Sequence, residues 1–284
     1  MNERRVIPII VVGARGRMGK TLLRTIMESD DLSLAAAVDR SGGPGTGLDA
    51  GQLAGLHNSG IRVTDELEPR HGQVVVDFSL PEATIANLER CLSAEVPMVL
   101  GTTGISEQTE TLIEDAANRI PIVAAANYSV GLTLLIQLAA IGARALGKGW
   151  DAEIFELHHR HKRDAPSGTA LRIGQAVAAA TARDFADVVV PHRTGTNRPR
   201  REDEIGVVAA RGGDSVGEHT LMFLGNQERL ELTHRALNRS IFANGALRSA
   251  RWLSNREPGL YDMVDVLGLD DAAIRADLTP SANN

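Results

Sequence analysis

Val6–Val12 is an unbroken apolar, largely β-branched run that passes directly into Gly13-Ala-Arg-Gly-Arg-Met-Gly19. A strand with one wet face would alternate in polarity. A run without alternation reads as a strand buried on both faces of a parallel sheet. A helix should follow, and Gly19–Glu28 carries Leu22, Leu23, Ile26 and Met27 at helical spacing. Leu34–Val38 then reads as a second buried strand. The unit recurs, with Val74–Phe78, Met98–Leu100 and Ile122–Ala126 as strands and Pro81–Ala94 and Ser106–Arg119 as the helices between them. This alternation predicts an α/β fold with a Rossmann-like doubly wound parallel sheet. The glycine-rich stretch between Arg40 and Gly60 reads as a mobile loop.

The pattern changes after Asn127. A long helix at about Val130–Leu146 precedes a strand, Asp151–His159, and a helix from about Gly168 to Thr181. Ile205–Ala210, Val216–Leu224 and Arg229–Thr233 follow as strands, and the turn-like Arg211-Gly-Gly-Asp214 and Gly225-Asn-Gln-Glu228 between them are hairpin signals. They predict a second, α+β region with a mostly antiparallel sheet. Phe242–Leu253 is helical again, and the tail beyond about Asp277 reads as frayed. A length of 284 residues fits two domains at roughly 150 residues each.

Composition excludes several function classes. Lys+Arg 30 against Asp+Glu 36 leaves a net charge of −6, so there is no global positive field to hold a polyanion. Five Phe, two Trp and two Tyr leave little for base-stacking platforms, which argues further against nucleic acid. A lone Cys91 can form neither an internal disulfide nor a multi-thiolate metal site, and it fits a reducing cytoplasm. The start resembles a basic-then-apolar leader, but its apolar run is too short and Arg15, Arg17 and Lys20 follow it. No stretch approaches the ~18 uninterrupted apolar residues of a membrane span.

Two stretches carry chemistry. Gly13–Gly19 lies between a strand and a helix, where glycines permit a tight turn and let helix N-terminal amides approach a pyrophosphate. The spacing is G-x-x-G-x-x-G rather than the commoner G-x-G-x-x-G. Asp39, at the end of the second strand, suits the ribose hydroxyls of NAD, while the adjacent Arg40 could accept a 2′-phosphate, leaving NADH and NADPH both open. Gly101-Thr-Thr-Gly104 and Ala125-Ala-Asn-Tyr128 fall at the ends of later parallel strands, where open α/β sheets bind ligands, and the Asn127 amide is placed to bond a nicotinamide carboxamide. A strand–helix turn with no ligand is the plainer alternative.

The second stretch is Glu156-Leu-His158-His159-Arg160-His161-Lys162-Arg163-Asp164-Ala-Pro166-Ser167-Gly168-Thr169. Three histidines in four residues raise a metal site, but a divalent cation would have to bind among Arg160, Lys162 and Arg163, so none is expected. If strand geometry persists, His158, Arg160 and Lys162 share one face and His158 and Lys162 converge. The segment reads as a site for an anionic substrate, with a His or Lys to deliver a proton and the Gly168 and Thr169 amides to receive a carboxylate. A solvated basic loop with a Ser167 or Asp164 helix cap is the alternative. His192, His219 and His234 stand alone and read as surface or structural residues, and His57 and His71 as loop residues.

With Gly217-Glu-His-Thr220 and Phe242-Ala-Asn-Gly-Ala246, these segments make the chain similar, almost end to end, to the 4-hydroxy-tetrahydrodipicolinate reductase (dihydrodipicolinate reductase) family of the diaminopimelate route to lysine. The resemblance implies hydride transfer from NADH or NADPH to C4 of a cyclic unsaturated dicarboxylate, with the 4-hydroxyl lost as water. It implies His158 as proton donor or acceptor, Lys162 as second proton donor, and His159, Gly168 and Thr169 as substrate-carboxylate positions. The cofactor positions it implies are Gly13, Ala14, Arg15, Gly16, Arg17 and Met18, then Asp39 and Arg40, Gly101, Thr102 and Thr103, and Ala125, Ala126, Asn127 and Tyr128. It also implies a discontinuous nucleotide domain, 1–127 with 241–284, around a substrate and oligomerisation domain, 128–240, in a cytoplasmic homotetramer. Arg15 in the pyrophosphate turn, and Asp39 where Glu is common, depart from the family pattern and bear on coenzyme preference. Two other readings compete: a different NAD(P) dehydrogenase acting on an amino acid or semialdehyde, and a nucleotide-sensing regulator without chemistry. Neither explains the clustered His, Arg and Lys.

Overall fold

The computed structural model describes residues 6–43, 45–195 and 199–269; the tail beyond Asp277 lies outside them. β1 (Ile7–Val12), α1 (Arg17–Met27) and β2 (Leu32–Val38) form the opening β-α-β unit. The following glycine-rich segment is more ordered than a bare loop. The Asp49 carboxylate accepts from the amides of Gly51, Gln52, Ser59 and Gly60, capping the short helix α2 (Ala50–Leu53) and folding the segment back on itself. That fourfold donation holds the Asp49 pKa down to about 2. β3 (Val63–Thr64), β4 (Val74–Asp77), α3 (Pro81–Ala94), β5 (Met98–Leu100), α4 (Glu107–Ala117) and β6 (Pro121–Ala124) complete this stretch.

The next elements are α5 (Val130–Leu146), β7 (Asp151–His158), α6 (Gly168–Ala180), α7 (Phe185–Val188) and β8 (Val189–Val190). After them come β9 (Ile205–Arg211), β10 (Gly217–Leu224) and β11 (Arg229–Ala236), and α8 (Ser240–Leu253), β12 (Gly259–Tyr261) and α9 (Met263–Leu267) close the described chain. The chain divides into two compact units. One runs up to Val130 and resumes at Arg239, and the other is Gly131–Asn238.

The first unit holds a seven-stranded sheet in the order β12-β6-β5-β4-β1-β2-β3, parallel throughout. Its unalternating strands follow from having two buried faces. Ile9 and Val11 of β1 pack with Leu22, Leu23 and Ile26 of α1 and with Ala246, Leu247 and Ala250 of α8. Ile10 and Val12 point the other way, toward Leu88 and Cys91 of α3 and Ile113 of α4. Each such aliphatic side chain contributes about 1.5–3 kcal/mol by leaving water. Burial also pushes the Cys91 thiol up to about 12, which makes it an inert core residue. Arg251 of α8 pairs with Asp31, just before β2, through two 2.7 Å contacts. β3 and β12, two and three residues long, are too short to leave a periodicity in the sequence.

The second unit holds a mixed sheet, β11-β10-β7-β9-β8. β10 pairs antiparallel with both β7 and β11, whereas β9 pairs parallel with β7 and β8. The hairpin expected at Arg211-Gly-Gly-Asp214 therefore does not form. β7 lies between β9 and β10, and the connecting segment crosses its end, where the Gly212 amide donates to the His158 carbonyl and the His159 amide to the Ser215 carbonyl. One face of the sheet carries Ile154, Val207 and Phe223 into a core with Leu135 of α5 and Ile173 of α6. On β7 and β9 the alternate residues Phe155 and Val208 remain exposed. No helix among the described residues is long and apolar enough to cross a membrane.

Candidate active site

In the first unit, Gly13 takes φ +78°, which L side chains rarely adopt, and a Cβ there would sit 2.6 Å from the Phe78 carbonyl oxygen. The turn lets the Gly13 and Ala14 amides donate to the Val38 carbonyl and brings the chain into α1 at Gly16, with no side chain among the described residues capping the helix. The first amides of α1 thus keep donors available for an anion. Asp39 accepts from the Arg15 amide at 2.7 Å and the Arg40 amide at 2.9 Å, and the Arg15 guanidinium stands 3.7 Å from it. Gly13, Arg15, Gly16, Asp39 and Arg40 line one cavity of about 430 Å³, closed on another side by Phe78 and Ser79. Thr102, Thr103, Ala125 and Ala126 line a second, of about 340 Å³, in which the Thr102 hydroxyl is buried with no partner among the described residues.

The remaining nucleotide-loop residues have other surroundings. Ala14 is buried in the core and Met18 packs on its edge. Arg17 is exposed. Gly101 lies against the Phe78 ring, where a Cβ would be 2.3 Å from it. Asn127 Oδ1 accepts from the Ser129 amide. The buried Tyr128 hydroxyl stands 2.8 and 3.0 Å from the Leu100 and Val123 carbonyls, joining β5 to β6.

In the second unit, the alternation of β7 puts Glu156 and His158 on the inward face. Glu156 is fully buried. Its Oε2 lies 2.5 Å from His158 Nδ1, and Arg211 of β9 grips both carboxylate oxygens at 2.8 and 2.9 Å. The Ser167 amide donates to Oε1 at 3.0 Å. Burial alone would raise the Glu156 pKa, but the bonds from Arg211, His158 and Ser167 outweigh it and hold the group below the ordinary carboxylate range. For His158, burial lowers the pKa, Glu156 opposes, and Lys162 and Arg211 add to the lowering; the net direction is down.

β7 ends at His158, so the expected alternation through Lys162 does not occur. The chain turns instead, with the Lys162 amide donating to the His159 carbonyl. The turn still brings Lys162 near enough for its charge to act on His158, while its ammonium contacts both oxygens of the exposed Asp164 at 2.8 Å. His159 Nδ1 is buried without a partner among the described residues. Ser167 caps α6 by accepting from the Ala170 amide, which leaves the Gly168 and Thr169 amides uncommitted by the cap. Among the described residues no three His, Cys, Asp or Glu side chains are grouped to hold a metal ion.

His219 is no isolated surface histidine. It is buried, edge-on to His158 with ring centroids 5.1 Å apart, and its Nε2 is 3.2 Å from the Ser167 hydroxyl. Burial, then the His158 charge, pushes its pKa down to about 4. His219, Arg211 and Glu156 are the members of this cluster that sequence reasoning missed. Only Glu156, two residues before His158, left a local signal.

The family model for the N-terminus of dihydrodipicolinate reductase matches residues 7–128, and that for its C-terminus matches 131–267. The chain belongs to the dihydrodipicolinate reductase family. A 4-hydroxy-tetrahydrodipicolinate reductase of Thiobacillus denitrificans is 50% identical over 265 residues, covering 93% of this chain and 99% of that one. The reductase of Alkalilimnicola ehrlichii is 49% identical over 263 residues, covering 92% and 98%. Among solved structures, a dipicolinate-bound dihydrodipicolinate reductase from Paenisporosarcina sp. TG-14 superposes with a TM-score of 0.73 at 23% identity, over 92% of this chain and 98% of that one. This reductase family supplies the nucleotide-binding Rossmann fold of the first unit and makes the chain an oxidoreductase.

Proposed function

We propose that the polar cluster around His158 is the acid and anion site with which this chain reduces 4-hydroxy-tetrahydrodipicolinate to tetrahydrodipicolinate. The reduction is a step of lysine biosynthesis by the diaminopimelate route and follows from family membership. The observation that carries the site reading is the meeting of His158 and the α6 N-terminus on one buried carboxylate, Glu156.

A hydride added at C4 displaces the 4-hydroxyl, and one proton must reach that oxygen for it to leave as water. His158 stands ready to give it, and Lys162 is the second cation able to protonate or hold the developing anion. The carboxylates of the ring fall to the Gly168 and Thr169 amides and to His159, whose buried Nδ1, without a partner among the described residues, awaits a polar contact. Dipicolinate, which the Paenisporosarcina enzyme holds, is also a dicarboxylate.

NADH or NADPH fits the first unit. The positive-φ glycine, the uncapped start of α1 and the 430 Å³ cavity suit a pyrophosphate and its ribose. When bound, the coenzyme supplies the hydride. Asp39 suits the 2′-hydroxyl of NADH, and Arg15 and Arg40 suit the 2′-phosphate of NADPH, which supports use of both. Exposed Phe155 and Val208 support self-association through the second sheet, toward the tetramer the resemblance implies. The decisive assay supplies aspartate semialdehyde, pyruvate and the preceding synthase and follows coenzyme oxidation. Oxidation of NADH or NADPH is expected, and folded protein that consumes neither removes the reading.

A further inference from the structure

We propose that Glu156 is a positioning residue that holds the His158 imidazole with its proton on Nδ1, so that Nε2 is the atom that gives a proton to the substrate. The proposal rests on the reading of His158 as the acid. An ionised carboxylate can only accept, so the 2.5 Å contact between Glu156 Oε2 and His158 Nδ1 requires the ring nitrogen to donate. The carboxylate cannot swing away to release the ring. Arg211 of β9 binds both oxygens, the Ser167 amide binds Oε1, and the side chain is fully buried. His158 is thereby fixed to two other parts of the second unit, β9 and the start of α6.

The opposite edge of the ring faces glycine. A Cβ on Gly217 of β10 would stand 2.8 Å from Nε2, so any larger residue there would crowd that nitrogen. The groups facing His158 are Glu156 on its own strand, Arg211 on β9, His219 on β10 and Lys162 in the following turn, with His234 of β11 acting in turn on His219. Burial, Lys162 and Arg211 all disfavour the imidazolium, and Glu156 favours it. The proton passes from Nε2–H of the imidazolium to the leaving hydroxyl. The ring remains as the neutral Nδ1–H form, and Glu156 stays ionised throughout.

The tautomer is read directly in the wild-type protein by correlating the ring nitrogens and carbon-bound protons of ¹⁵N-histidine, with His158 assigned by its absence from His158→Gln. Above its titration, His158 is expected protonated on Nδ1 and bare on Nε2; the reverse tautomer overturns the proposal, whether or not any variant folds. Where Glu156→Gln folds, kcat is expected to fall about 10²-fold. The limb on which activity is lost with rising pH should also move acidward by about one pH unit or more. A merely structural role would leave that limb in place, and an unmoved limb overturns the proposal. His158→Gln separates the two layers. If it retains full turnover, the acid assignment itself fails; if it is inactive while the Glu156→Gln limb is unmoved, only the positioning role fails.

Discussion

Arg211 and Glu156 form a two-point ion pair across neighbouring parallel strands, Nη1 to Oε2 at 2.8 Å and Nη2 to Oε1 at 2.9 Å, with the carboxylate fully buried. Removing the cation strands a buried charge. Arg211→Met is therefore expected to cost about 3–5 kcal/mol at pH 7, measured by urea denaturation. Because the folded pKa of Glu156 is depressed, its contribution is present above the ordinary carboxylate pKa and is lost as the pH falls through the lower folded value. The wild type should lose this increment in acid and the variant should not. A loss below about 1 kcal/mol at pH 7 would show that water compensates the carboxylate.

His219 gives a second, separate pH dependence. Its pKa falls from 6.5 to about 4 on folding, so the unfolded chain binds the extra proton between those values. Stability is full above about pH 6.5 and declines as the pH drops toward 4, by up to about 3 kcal/mol. His219→Gln should flatten the profile of urea midpoints between pH 7 and 4.5. An unchanged slope would mean that the imidazole charges in place.

Replacing His158 and Lys162 tests the proposed chemistry. His158→Gln and Lys162→Ala should each lower kcat by roughly 10²-fold or more. Steady-state turnover with enzymatically generated substrate measures this, and unchanged turnover in either variant takes that residue out of the mechanism.

Gly217→Ala probes the Nε2 edge of His158 without touching any charge. Its methyl would meet Nε2 at 2.8 Å, and the ring cannot retreat while Glu156 holds Nδ1. A fall in kcat of about tenfold or more is expected, with a stability loss of no more than about 1–3 kcal/mol. Full activity would place the reacting atom elsewhere on the ring.

Asp39→Ala should weaken NADH more than NADPH, because only NADH calls on a 2′-hydroxyl acceptor. Fluorescence titration of each coenzyme gives the two dissociation constants. Asp39 also holds the Arg15 and Arg40 amides, so an equal loss for both coenzymes would assign it to shaping the loop alone.

The amino-acid sequence by itself determined the parallel sheet, the glycine turn between β1 and α1 and the closeness of His158 to the start of α6, because each is written in local order. Burial on both faces removes polar alternation from β1, a positive φ selects glycine at Gly13, and a helix start selects Ser167. The segment 40–60 concealed its order, since the Asp49 cap acts on amides up to eleven residues away. Tertiary structure alone decided the environment of His158. Lys162 comes into electrostatic range of His158 by a turn and not by strand alternation. Arg211 and His219 arrive from β9 and β10, which flank β7 although they lie about 50 or more residues along the chain. Pairing between distant strands depends on register, and register leaves no mark on either strand taken singly. For that reason the sequence could single out His158, while only the folded sheet could show what holds it.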